Sequence, residues 1–330
     1  MNFVESVRRR ARLRTRRIVF PEGTEPRTLQ AVTEIQRAGL LFPVLLGAPD
    51  EVVEALAREG GDPEGVEVVD PASLEGVGRY VRALLDRRRA KGMTEPEARE
   101  RVREPLMRGA LMVALGEVDG SVAGAVSSTG EVLRAAIWCV GTQEGIRVVS
   151  SSFYMLVPAF RGSEPEVLTF TDGAVVPEPT SEQLAHIAAS AARARRRVVG
   201  DSPVVAFLSY STRGSAEGAS VTKVRRALET FRAMEPGVPA DGEFQADAAL
   251  VEAVARRKAP HSAVGGVANV LVFPNLDAAN ISYKLVQRIA NAGAVGPIVQ
   301  GLCRPCNDLS RGASSEDIVN VACITALMSE

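Results

Sequence analysis

The chain has 330 residues, 46% of them hydrophobic and 24% charged, which is enough to bury a large core and, by length, to build two domains. A formal net charge of −1 excludes a global attraction to nucleic acid or to an acidic membrane. Four cysteines are too few for a disulfide framework, the first residues lack the apolar core of a signal peptide, and no apolar run is long enough to span a membrane, so a cytoplasmic protein is expected.

In chain order, an N-terminal helix precedes a short strand over 18–20 that Pro21 closes. A helix through Leu29, Val32 and Ile35 runs to Gly39. A strand over 42–46, a helix over 52–56 and a strand over 66–69 follow. This alternation predicts a mostly parallel sheet with helices on both faces. A helix over 77–91 ends at Gly92, and Thr94 with Glu97 opens the next helical stretch as a capping box. A strand over 121–126 leads through Ser127-Ser128-Thr129-Gly130 into a helix carrying Leu133, Ile137 and Val140.

A strand over 146–150 closes the first part, and the chain then enters a second domain. Strands are expected over 154–157, 167–170, 204–208 and 270–273. Helices are expected from the Thr180–Gln183 capping box, over 221–234, over 246–258 and over 277–291. The last strand, 296–302, and the last helix return to the first domain. The expected domains are therefore 1–150 with 300–330, and 151–299.

Between that strand and helix, Pro305, Asn307, Asp308 and Gly312 impose a turn. The turn offers a hydroxyl (Ser310), a guanidinium (Arg311) and, at the helix start, a carboxylate (Asp317). A polar loop between a strand and a helix start is where α/β proteins bind ligands, and the first N–H groups of the helix would add to an anion site. Asp317 also fits a simpler reading, because Ser314-x-x-Asp317 is a capping pattern. Cys303-x-x-Cys306 is a single pair, too little for a zinc site. No nucleotide-binding glycine loop, metalloprotease motif or nucleophile elbow is present, and two histidines make a Ser-His-Asp triad improbable.

Asn307-Asp308-Leu309-Ser310-Arg311-Gly312, followed by Ser314 and Glu316-Asp317-Ile318-Val319, resembles the C-terminal signature of the phosphate acetyltransferases. Further matches run in order along the chain. They include Phe20-Pro21-Glu22-Gly23-Thr24, Thr129-Gly130-Glu131-Val132-Leu133-Arg134, Phe170-Thr171-Asp172-Gly173 and Val272-Phe273-Pro274-Asn275. The resemblance implies two α/β domains sharing a mostly parallel sheet, in the manner of isocitrate and isopropylmalate dehydrogenases, with the active site in the interdomain cleft. It also implies a homodimer.

The implied reaction is acetyl-CoA + phosphate ⇌ CoA + acetyl phosphate, with coenzyme A as substrate and no cofactor or metal. Such a reaction needs a base for the thiol, a carboxylate raised by partial burial being suited to that, donors for an oxyanion, and a cation for phosphate. By the resemblance, Asp317 is the base, Ser310 bonds the thiol or the oxyanion, and Arg311 binds the phosphoryl group or the acyl carbonyl. The CoA thiolate then attacks acetyl phosphate in a ternary complex, without an acyl-enzyme.

Arg88 and Arg134 resemble positions that contact CoA. The register among Arg87, Arg88 and Arg89 is open, and each arginine could equally be a solvated helix residue. The alternative within the same chemistry is a phosphate butyryltransferase. From other classes come an NAD- and metal-dependent decarboxylating dehydrogenase of the same fold, and a non-catalytic transferase-like domain. No nucleic acid or membrane partner is expected.

Overall fold

The computed structural model describes residues 2–329. Two compact units divide the chain: 145–301 form one, and the residues before and after them form the other.

The first unit opens with α1 (Phe3–Arg12), β1 (Arg17–Phe20), α2 (Pro26–Ala38), β2 (Phe42–Leu46), α3 (Pro49–Arg58) and β3 (Glu67–Val69). It continues with α4 (Val77–Arg88), α5 (Glu95–Arg101), α6 (Pro105–Leu115), β4 (Gly120–Ala123) and α7 (Thr129–Cys139). The second unit contains β5 (Ser150–Val157), β6 (Glu166–Thr171), α8 (Ser181–Val198), β7 (Val205–Leu208), α9 (Ala219–Met234) and β8 (Ala240–Phe244). α10 (Ala246–Leu250), α11 (Glu252–Lys258), β9 (Val270–Val272), α12 (Leu276–Ile289) and β10 (Gly293–Gln300) complete it. The chain then returns to the first unit with β11 (Cys306–Asp308) and α13 (Ser315–Met328).

The α/β class and the mostly parallel pairing agree with the sequence reading, but the strands make two sheets instead of one shared sheet. The first has the order β11-β4-β1-β2-β3 and is parallel throughout. The second, β10-β5-β6-β9-β7-β8, is antiparallel at β10-β5 and β5-β6 and parallel beyond. In the first sheet the chain winds outward from β1 to β3 and then crosses back to β4 on the other side of β1. The loops after β1 and β4 therefore flank a topological switch point, the usual place for a ligand crevice.

Five local expectations change. The strand expected over 296–302 is β10, and it belongs to the second sheet. The strand that leads to the polar loop is β11, in the segment read as a turn. Asn307 and Asp308 are polar, yet both are buried at about 1% exposure because partners wait for them. Asn307 Nδ2 donates to Thr325 Oγ1 at 2.8 Å, and Thr129 Oγ1 donates to Asp308 Oδ2 at 2.6 Å. Buried polar groups are tolerated when so bonded.

The helix expected over 246–258 is broken at Val251, whose extended backbone (φ −119°, ψ 112°) ends α10 and starts α11. The 77–91 helix is α4 followed by a 3-10 turn over Arg89–Lys91. The expected strand over 146–150 is irregular until β5 begins at Ser150.

α13 carries the site loop on its N-terminal end and is buried along nearly its whole length. Ile318, Val319, Ala322, Cys323, Ile324, Ala326 and Leu327 are all inaccessible. It packs between α1 and α2 over β4. Each large aliphatic side chain so buried contributes about 1.5–3 kcal/mol, so the helix start cannot drift from the sheet without losing that burial.

Candidate active site

The β11–α13 loop is pinned at both ends and exposed between. Leu309 and Ala313 are buried, and the Leu309 N–H donates to the Ala123 carbonyl at 2.8 Å. Ser310, Arg311 and Gly312 stand out to solvent between these anchors. The turn is closed by Ala313 N–H to the Ser310 carbonyl at 2.8 Å and by Gly312 N–H to Ser310 Oγ at 3.3 Å. Ser310 and Arg311 are thus displayed side by side on a short, tethered segment.

Asp317 stands at the third position of α13 and makes the capping box that its spacing allows. Its Oδ2 accepts from the Ser314 N–H at 2.9 Å and from Ser314 Oγ at 2.8 Å, and Ser314 Oγ accepts in return from the Asp317 N–H at 3.2 Å. Asp317 is solvent-exposed. The partial burial expected of a base toward a thiol is not what this carboxyl has here.

α7 begins the same way. Ser128 N–H and Oγ donate to Glu131 Oε2 at 2.8 and 2.6 Å. These bonds, with Arg134 and Arg311 nearby, hold the Glu131 carboxyl below its ordinary range. Each of these two helix starts therefore carries the acidic residue of its own capping box, bonded to the N-cap serine.

Two residues that motif reading passed over hold the loops together. Glu22, after β1, accepts four main-chain N–H groups of the β4–α7 loop. Gly124 and Ala125 donate to Oε2 at 3.0 and 2.8 Å, and Val126 and Ser127 donate to Oε1 at 3.1 and 2.7 Å. Arg27, in the first turn of α2, is oriented by Glu25 at 2.7 Å. It donates to three carbonyls: Arg311 at 2.7 Å, Ala313 at 2.9 Å and Ala125 at 2.8 Å. One guanidinium so ties the loops that follow β1, β4 and β11. Phe20-Pro21-Glu22-Gly23-Thr24 marked this region in the sequence, but only the fold shows what the carboxylate and Arg27 reach.

Asp308 lies behind the loop. Burial pushes its carboxyl up, the neighbouring Glu22 adds to the rise, and the bonds from Thr129 and the Leu309 N–H oppose it, leaving it at about 6. Its Oδ1 is buried without a hydrogen-bond partner. Gly124, at φ +112°, passes so close that a Cβ there would stand 2.5 Å from this oxygen.

A pocket of about 880 Å³ opens beside these loops, at the carboxyl ends of β1, β2 and β4. Its walls include Leu46, Leu106, Met107, Glu131, Arg134 and Trp138. Arg134 is exposed into it and makes no hydrogen bond or ion pair among the described residues. Ser310, Arg311 and Asp317 are not part of its lining, but the charges of Arg311 and Arg134 both act on Glu131, which is.

The three arginines at the end of α4 separate. Arg88 is half-buried with its guanidinium carbon 4.3 Å from the Trp138 ring centroid. Arg87 Nη1 donates to the Val140 carbonyl at 2.9 Å, and Arg89 is exposed on the 3-10 turn. Cys306, beside the signature, is buried and its thiol is pushed up by that burial, whereas Cys303 is exposed.

Residues 2–326 match the family model described as phosphate acetyl/butaryl transferase. The chain is 44% identical over its whole length to a phosphate acetyltransferase of Thermoanaerobacterium thermosaccharolyticum, covering all of that protein. A phosphate acetyltransferase of Acetivibrio thermocellus is also 44% identical, over all of this chain and 99% of its own. Among solved structures, a phosphotransacetylase from Streptococcus pyogenes superposes with a TM-score of 0.93 at 37% identity, over 99% of this chain and 98% of that one. The EutD phosphotransacetylase from Staphylococcus aureus gives 0.90 at 37% identity over the same shares. The chain belongs to the phosphate acetyl/butaryl transferase family.

Proposed function

We infer that this acyltransferase moves acetyl groups reversibly between acetyl-CoA and phosphate, releasing CoA and acetyl phosphate. Full-length identity to proteins of that activity supports the reading. The observation that carries the local assignment is the tethered β11–α13 segment, which displays Ser310 and Arg311 beside the capped carboxylate of Asp317.

In this reading Asp317 accepts the proton of the CoA thiol, and the thiolate sulfur attacks the carbonyl carbon of acetyl phosphate. A carbon–sulfur bond forms, the carbon–oxygen bond to phosphate breaks, and phosphate leaves. Ser310 Oγ donates to the developing charge, and the Arg311 guanidinium offsets it on the phosphoryl or carbonyl oxygen. Arg27 and Glu22 keep water-exposed loops in one arrangement, so less ordering remains to be done when substrate arrives. Arg134, free of partners in its pocket, is assigned to CoA, and Arg88 to the same end of the site.

Phosphate-dependent release of CoA from acetyl-CoA, assayed without added metal or nicotinamide cofactor, tests the activity. Its absence would overturn the reading. Comparing butyryl-CoA in the same assay sets the acyl preference, since the family spans both chain lengths.

The same reading includes a homodimer and a cytoplasmic location. The second is supported by four cysteines that are all free. Among the described residues, no helix is long and apolar enough to cross a membrane. For the dimer, α12 exposes Ile281, Leu285 and Ile289 at 58%, 52% and 80%, spaced as one helix face. An apolar stripe of this kind marks a surface that another chain covers.

A further inference from the structure

Trp138 is the only tryptophan of the chain. It lies on α7 one turn beyond Arg134, so the two side chains share a helix face, and both line the 880 Å³ pocket. One face of the half-buried indole is covered by Arg88 from the end of α4, at 4.3 Å. Arg88 Nε is buried without a hydrogen-bond partner, which leaves the indole as the group this guanidinium is placed against. The acidic groups of the pocket are largely engaged elsewhere. Glu22 is held by four N–H groups, Glu25 by Arg27, Glu104 by Arg101 and Glu131 by Ser128. What remains to face a ligand is a large aromatic surface backed by one cation, with a second, unpaired cation a turn away.

That combination suits a nucleotide: a base stacks on the ring, and a phosphate meets the guanidinium. Acetate and phosphate are too small to use it. Of the substrates in the proposed reaction only coenzyme A and its acetyl thioester carry a purine nucleotide. We propose that Trp138 is a binding residue for the adenine nucleotide end of coenzyme A, and that Arg88 acts through it as a positioning residue. The proposal rests on the CoA assignment of this pocket.

A single indole makes the test direct. The full-length enzyme is titrated with CoA, adenosine 3′,5′-bisphosphate and pantetheine while indole emission is followed. CoA and the bisphosphate are expected to change the emission saturably, and pantetheine to leave it unmoved. In Trp138→Ala the KM for CoA rises about tenfold, the size of one base–aromatic stack, with kcat changed by less than twofold. Trp138→Phe, which keeps an aromatic platform, recovers most of that loss. Arg88→Ala raises the same KM in the wild type but adds little to Trp138→Ala, because the two act as one unit. Emission indifferent to both CoA and the bisphosphate overturns the proposal. So does a response to pantetheine alone, or a normal KM in Trp138→Ala. If the wild type releases CoA with phosphate while the indole stays silent, only this proposal falls. If it releases none, the functional reading fails first.

Discussion

Arg27 donates from Nη1 to the main-chain carbonyl of Arg311 at 2.7 Å, and the same guanidinium holds Ala313 and Ala125. The position of the proposed phosphate-binding residue is therefore set partly by a side chain 284 residues earlier. A lysine cannot reproduce a fork that meets three carbonyls. Arg27→Lys and Arg27→Ala should each lower kcat by roughly ten- to a hundredfold, as misplacement of a reacting group by about 1 Å does. Added guanidinium chloride should restore part of the rate to the alanine variant and none to wild type. Steady-state kinetics with and without guanidinium decides this, and normal kcat in both variants would show that the loop holds its place unaided.

Asp317 is asked to be both a helix cap and a base, and Ser314 separates the two roles. Asp317→Asn should lose about a hundredfold or more in kcat. Ser314→Ala removes the reciprocal hydroxyl of the capping box but leaves the carboxylate, so it should cost about 1 kcal/mol of stability and only a small part of the rate. Thermal melts run beside the kinetics compare the two. Equal rate losses in both variants would mean that Asp317 serves the helix alone.

Asp308 gives a pH signature of its own. Its folded carboxyl is raised to about 6, above an ordinary value near 3.9. The folded protein therefore binds this proton more tightly than the unfolded chain. Its stabilising contribution is full below about pH 4 and is lost as the pH rises through about 6. Asp308→Asn should consequently gain on wild type in melting temperature between pH 4.5 and 7.5, by an amount that grows with pH and then levels off. A melting difference that does not vary with pH would place the buried proton elsewhere.

The α12 face predicts assembly. Leu285→Glu puts a charge in the middle of the Ile281–Leu285–Ile289 stripe and should halve the mass measured by light scattering, without lowering the helix signal in circular dichroism. A wild-type monomer, or a variant of unchanged mass, would leave the stripe without the partner proposed for it.

Much of this protein is legible in the chain because the signals are local. The Ser314–Asp317 and Thr180–Gln183 capping boxes form as spaced, since a cap needs only neighbours within one turn. The apolar spacing of α13 and the β-α alternation of the first unit are equally local. β11 was not legible. Asn307 and Asp308 look like turn residues until Thr325, 18 positions on, and Thr129, 179 positions back, supply their bonds.

The same division holds for the site. The residue order alone determined the two-unit α/β class, the family, and a hydroxyl, a guanidinium and a carboxylate spaced along one loop and helix start. Tertiary structure alone decided which strand carries that loop and that two separate sheets form. It also decided that the helix starts hold their own acids, that Arg27 and Glu22 tie the loops after β4 and β11, and that Trp138 lines the pocket beside them. Those outcomes depend on contacts between residues far apart in the chain, and spacing along a sequence carries no record of distance across a fold.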